Sequence, residues 1–337
     1  MLSSSKSPGL PTRLPRRPNQ PQHVFWFVWV CLATCIAWPA AALAQETEQG
    51  FAVDRFYPSA PGGGWLVMDD LDMRKDLCGA LAFSGGYARN SLRLAIPARS
   101  QNLSVVKSQA FASFGAAVTY DRWRASLHFT SPIYVRGDTG STGARSYAAP
   151  AMDIAHNPDS FSDVRLGLDA RILGGPDSSF RLGAGLQLFV PVGVGPDYVT
   201  DDTYRGMGRI LFAGAVAGVT YAGHVGLHLR PRDDAPSPEA PRGNELLFGI
   251  AAGPRLATTK HAVVIVGPEI YGASALRGLG DAGGTALEAL LTARMDTVHD
   301  EGHEVRFKVG SGGGLHPHFG APEWRAVFSV EVVGHAH

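Results

Sequence analysis

From residue 104 onward, apolar and polar positions alternate with a period of two in one segment after another. In "DVRLGLDARIL" (163–173), Val164, Leu166, Leu168, Ala170 and Ile172 share one face of a strand, and Arg165, Asp169 and Arg171 share the other. No helical period fits as well. In "FRLGAGLQLFV" (180–190) the even-numbered apolar residues from Phe180 to Val190 oppose Arg181, Gly183, Gly185 and Gln187. In "ALEALLTARMD" (286–296), Leu287, Ala289, Leu291, Ala293 and Met295 oppose Glu288, Thr292, Arg294 and Asp296. The stretches "VRFKV" (305–309) and "WRAVFSVEVV" (324–333) repeat the arrangement, with Arg306, Lys308, Arg325 and Glu331 on the polar face.

The pattern predicts strands at 104–120, 123–134, 163–173, 180–192, 207–222, 223–230, 245–256, 262–272, 285–296, 304–313 and 324–333. Their connections alternate in length. "YDRW" (120–123), "GGPDSS" (174–179), "YAGH" (221–224) and "ATTKH" (257–261) read as tight turns, while 136–162, 192–206, 231–244 and 274–284 are long and polar. A short turn at one end and a long loop at the other, with charges mid-strand on the face opposite the apolar one, is the plan of an outer-membrane barrel: lipid outside, water inside. A sandwich with Greek-key crossovers is not expected to keep that order. The apolar face of "DVRLGLDARIL" is therefore assigned to lipid.

Three further segments bring the N-terminal end of the barrel back to the side of its C-terminus: 64–70, 77–88 and 91–97. The expectation is an all-β, transmembrane, antiparallel up-and-down barrel of about fourteen strands, with twelve as the alternative, since single-chain bacterial barrels hold an even number. Tyr120, Trp123, Tyr221, Tyr271 and Trp324 lie near strand ends, where interface girdles form; ordinary turn-flanking core is the competing reading.

Residues 1–23 are Pro-rich and basic, and the apolar run from Val24 ends in Ala-Leu-Ala at 42–44. This reads as a secretory signal peptide cleaved before Gln45, with an uncleaved anchor as the alternative. The expected division is 1–44 signal peptide, 45–63 periplasmic segment, 64–334 barrel and 335–337 short tail. Two of the three cysteines, Cys31 and Cys35, leave with the signal, so the mature chain has no internal disulfide. With 30 basic and 30 acidic residues in 337, charge gives no argument for nucleic acid. High Gly (41) and a low charged fraction (18%) suit closely packed strands.

Taken in order, "VDRFYPSAPGGGWLVMDD" (53–70), "DVRLGLDARIL", "LHLRP" (227–231), "ELLFGIAAG" (245–253), "VGPEIYG" (266–272), "LEALLTAR" (287–294) and "GAPEWRAVFSV" (320–330) resemble the N-terminal barrel module of large OmpA-family outer-membrane proteins of Gram-negative bacteria. Such proteins usually continue into Asp-rich calcium-binding repeats and a peptidoglycan-binding domain. Neither follows here, so cell-wall anchoring is not expected. The resemblance supplies no catalytic residues.

No constellation of residues argues for an enzyme. "GDAGG" (280–284) has Ala282 where a trypsin-like nucleophile would stand. His128, on the presumed lumen face, has no Ser or Asn singled out by spacing as a hydrolase partner. His299, His303, His316, His318, His335 and His337 crowd the C-terminal region, and Asp138, Asp153, Asp159, Asp201, Asp202, Asp233 and Asp234 lie in the long links. Imidazole or carboxylate metal sites are weighed there against solvated tails and loop tips, and the latter are adopted. No cofactor is expected.

The lumen candidates are Arg124, Arg165, Asp169, Arg171, Arg181, Glu288, Arg294, Arg306, Lys308, Arg325 and Glu331. Counting Asp296 with them gives eight cations against four carboxylates, so an open lumen is expected to favour anions mildly. The function expected is a porin-like or structural component of the outer membrane. Its partners would be lipid, lipopolysaccharide and the barrel-assembly machinery, not nucleic acid. The competing readings are a loop-displaying adhesin or receptor, an outer-membrane hydrolase, and a soluble periplasmic β protein.

Overall fold

The computed structural model describes residues 50–337 apart from 75, 97–100, 143–144, 151, 157–160, 194–196, 232–242, 281–283, 299–302, 317–319 and 336–337. The signal peptide and His299, His318, His337, Asp159, Asp233 and Asp234 lie outside the described residues.

The strands, in order, are β1 (Cys78–Ile96), β2 (Gln101–Tyr120), β3 (Trp123–Arg136), β4 (Gly140–Thr142), β5 (Arg145–Tyr147), β6 (Val164–Leu173), β7 (Arg181–Val190), β8 (Arg205–Val216), β9 (Val219–Leu229), β10 (Glu245–Thr258), β11 (Ala262–Ala275), β12 (Thr285–Val298), β13 (His303–His316) and β14 (Trp324–His335). Twelve of them form one closed antiparallel barrel in the order β1-β14-β13-β12-β11-β10-β9-β8-β7-β6-β3-β2, while β4 and β5 pair only with each other inside the 137–163 link. Closure is made by β1 on β14, from Cys78 opposite His335 to Arg89 opposite Trp324. Every barrel strand thus has two neighbours, and no row of backbone donors is left facing hydrocarbon.

The two faces separate as the alternation requires. On β6, Leu166 and Leu168 are 43% and 48% exposed, whereas Arg165, Asp169 and Arg171 are buried. Leu186, Ile210, Val225, Leu227, Ile250, Leu291, Phe307 and Phe328 continue the exposed apolar surface around the barrel. A soluble monomer rarely shows an apolar patch larger than a few hundred Å². This belt runs over the whole wall, and lipid is the solvent that suits it.

The strand count is twelve, and the differences from fourteen have local causes. Segments 77–88 and 91–97 are one strand, β1, whose register with β2 shifts between Arg89 and Arg93. Asn90, at φ 54°, is the bulge residue there and mimics a turn in the sequence. The turn expected at 221–224 lies at Ala217-Gly218, with φ 51° and 81°. Positive φ at both central residues is the hairpin type that matches strand twist. Tyr120, Trp123 and Trp324 are exposed near strand ends, but Tyr271 is buried inside the barrel and belongs to no girdle.

Residues 64–70 are not a barrel strand: only an isolated bridge, Gly64 with Asp69, forms there. The segment from 50 to 73, given a periplasmic stretch and a first strand by the sequence, runs inside the barrel. Phe51, Val53, Trp65, Leu66, Met68, Leu71 and Met73 are buried. It starts beside the long 191–204 link, where Val53 N donates to Tyr198 O, and ends beside the 174–180 turn side, where Arg171 donates to Leu71 O and Met73 O. Long links mark the outer end and short turns the periplasmic end. The segment therefore enters at the outer mouth and reaches β1 at the periplasmic one.

Candidate functional site

The lumen and the segment within it form the site. Pro58, Pro61 and the triplet Gly62-Gly63-Gly64 keep this segment out of any regular element, and Gly64 sits at φ 96°. Its backbone groups cannot pair with a neighbouring strand. Buried backbone groups still need partners. Turns within the segment, such as Ser59 N to Leu66 O and Asp70 N to Gly63 O, supply some of them, and side chains of the barrel wall supply others.

Glu269 of β11 accepts from three successive amides, Leu66 N at 2.9 Å, Val67 N at 2.9 Å and Met68 N at 3.2 Å, and from the Thr292 hydroxyl at 2.7 Å. Lys308 donates to Trp65 O at 3.0 Å while paired with Glu331 at 2.5 Å, and Glu331 in turn accepts from Gly62 N. Arg306 donates to Gly62 O at 2.8 Å. Arg165 donates to Pro58 O.

Carboxylates of the segment meet cations of the wall. Asp54 binds Arg325 at 2.6 Å, and Arg325 also holds Glu288 at 2.8 Å. Asp69 pairs with Arg124, which is shared with Asp169 at 3.2 Å; Asp169 also takes Arg209 at 3.1 Å. Asp70 meets Arg294 at 3.3 Å, and Asp72 meets Arg306 at 3.9 Å. Arg181 donates to Pro176 O and lines a cavity of 480 Å³ at the periplasmic mouth, with Asp70, Asp72, Arg294 and Arg306. The eleven lumen candidates thus all have buried side chains, and most of them hold the segment.

Between these contacts apolar side chains of plug and wall fill the lumen. Phe56, Trp65, Leu66, Val67, Met68, Leu71 and Met73 pack on Phe111, Leu211, Ala251, Ile265, Tyr271, Leu290 and Val327 of the wall. Each such side chain contributes about 1.5–3 kcal/mol on full burial. Ion pairs fix position more than they add net stability, because desolvation offsets much of their attraction.

The outer end is clamped by a second network. Arg230 binds Asp201 at 2.6 Å and Glu245 at 2.8 Å, Glu245 binds Arg55 of the segment at 2.5 Å, and Asp201 accepts from Ala52 N at 2.9 Å. Burial alone would raise the Asp201 carboxyl. Arg230 and Arg205, with the Ala52 amide, outweigh that and hold it far below the usual carboxylate range.

Glu269, Asp54, Asp69, Asp70 and Asp72 were absent from the sequence-based set. Glu269 carried a legible signal, since it is a lone carboxylate within the apolar strand "VVIVGPEIYG". His128 is buried, and its Nδ1 lies 2.8 Å from Arg165 Nη2. Among the described residues no group of three His, Cys, Asp or Glu is placed to hold a metal ion.

No protein-family model matches the chain, and no curated protein matches it. Among solved structures it is similar to an outer membrane channel from Pseudomonas putida F1, at 11% identity and TM-score 0.48, over 77% of this chain and 95% of that one. It is also similar to the NanC porin (9% identity, TM-score 0.44, 76% and 100% covered) and to the β domain of the Bordetella autotransporter BrkA (13%, 0.40, 78% and 100%). Likeness at this level names no solute and no reaction. The protein's own closed barrel and apolar exterior make it a β-barrel of the cell outer membrane.

Proposed function

We propose that this protein is a non-enzymatic, self-plugged barrel of the outer membrane: a structural envelope component at rest, with porin-like passage of small solutes only when its N-terminal segment leaves the lumen. The carrying observation is the Glu269 carboxylate, which accepts three consecutive amides of residues 66–68 and so holds the main chain across the middle of the pore. The order of the stretches that resemble OmpA-family barrels is in keeping with an envelope role. Lipid and lipopolysaccharide are the partners that suit the apolar exterior. With the plug in place Asp54, Asp69, Asp70 and Asp72 face four of the eight wall cations; once the plug leaves, those carboxylates leave with it, and the open pore should mildly prefer anions.

Planar-bilayer recording tests the reading. The intact protein should pass little current, and a variant lacking residues 50–73 should conduct at least about tenfold more. A steady, large conductance from the intact protein overturns it. If the deletion fails to assemble, substitutions at Glu269 provide the same comparison in a full-length chain.

A further inference from the structure

Near its outer end the lumen keeps a cavity of 110 Å³ between the plug and the wall. Tyr57 of the plug and Phe111, His128, Arg165, Phe189 and Arg205 of the barrel line it. The aromatic walls are ordered: Tyr57 meets Phe189 edge-on with centroids 5.4 Å apart, and the Arg205 guanidinium lies 4.6 Å over the Phe189 ring.

The charges around the cavity do not balance. Asp163 and Asp54 also line it. Asp163 is engaged by Arg205 at 2.6 Å and by the Thr200 hydroxyl, and Asp54 is engaged by Arg325. Arg165 has only Pro58 O and His128 Nδ1 as partners, with no carboxylate in ion-pair range among the described residues. Arg165 can only donate, so His128 Nδ1 accepts and the neutral ring carries its proton on Nε2. His128 therefore adds no counter-charge. Arg165 Nη1, Arg205 Nη1 and the Tyr57 hydroxyl have no hydrogen-bond partner. Buried cations are normally paired, and here the partner is missing.

We propose that the cavity binds a small carboxylate with a short apolar body, its carboxylate on Arg165 and its body against Tyr57, Phe111 and Phe189. A cavity that accepts a benzene ring measures about 150 Å³, so 110 Å³ admits a short alkyl chain and excludes a ring. The site rests on the plug being in place, because Tyr57 and Pro58 belong to the plug. A bound anion would touch plug and wall together and favour the closed state.

Calorimetric titration of the intact protein in detergent with propionate tests this, with propionamide as the neutral isostere. Propionate should bind at least about tenfold more tightly than propionamide, the difference expected of one charge-assisted interaction. Arg165→Gln, which keeps a donor for Pro58 O, should lose about tenfold in propionate affinity while retaining heat-modifiable migration on a gel. Absence of propionate binding, equal affinity for propionamide, or undiminished binding in folded Arg165→Gln overturns the proposal. The propionate–propionamide comparison needs no variant, so a misfolded Arg165→Gln leaves the test intact. Conductance of the same preparation separates the two readings: closed without binding sinks only the anion site, whereas an open intact pore sinks the plug.

Discussion

A carboxylate buried without a counter-ion is costly unless hydrogen bonds replace its water, and Glu269 meets that condition with four donors. Three of the donors are successive amides, so one side chain fixes the path of the plug over residues 66–68. Gln at this position keeps the shape but turns an NH₂ toward those donors. Each charged hydrogen bond is worth about 1.5–3 kcal/mol. Glu269→Gln should thus weaken plug docking by about 2–3 kcal/mol, raising open probability some 30- to 150-fold. Single-channel recording reads this directly, and amide exchange at Leu66, Val67 and Met68 should quicken in parallel. Unchanged open probability with unchanged exchange would remove Glu269 from the closing mechanism.

At the level of elements, the barrel was legible because alternation is a local property: Leu166 and Asp169 declare their faces within one strand. The plug was not, because its partners are side chains far along the chain. Leu66 depends on Glu269, Trp65 on Lys308 and Asp54 on Arg325. No local period records such contacts, and the apolar residues of "GWLVMDD" imitate a strand. Pro61 and the glycine triplet before them were the available warning. The lipid-facing assignment makes a depth-dependent prediction. Leu291, mid-way along β12, and Leu256, near the periplasmic turn of β10, are 62% and 63% exposed. Leu291→Arg places charge near the membrane midplane at about 2–4 kcal/mol, and Leu256→Arg should cost about 0–1 kcal/mol at the interface. Folding free energies in vesicles should therefore differ clearly between the two, and equal losses would contradict the depth assigned to β12.

For the molecule as a whole, opening requires both the interior contacts and the outer clamp to release, and the clamp lies at the outer mouth. Asp201 accepts from Ala52 N at 2.9 Å and binds Arg230 at 2.6 Å, tying the start of the plug to the 191–204 link and to the end of β9. Its carboxyl is held well below the ordinary value of 3.8 by Arg230 and Arg205 against the opposing effect of burial. A carboxylate depressed on folding contributes stability that is fully present above its unfolded value and is lost only as pH falls through the folded one. The clamp should thus stay intact from neutral pH down to about pH 4 and fail well below it. Current through a planar bilayer should remain low over the first range and rise in strong acid, more readily when only the side carrying the long links is acidified. Asp201→Asn removes the charge at any pH, so this variant should open at pH 7 to a degree the intact protein reaches only in acid. Opening of the intact protein between pH 7 and 5 would assign the titration to another group, and an acid-opened intact pore beside a closed Asp201→Asn would show that the clamp does not hold the plug.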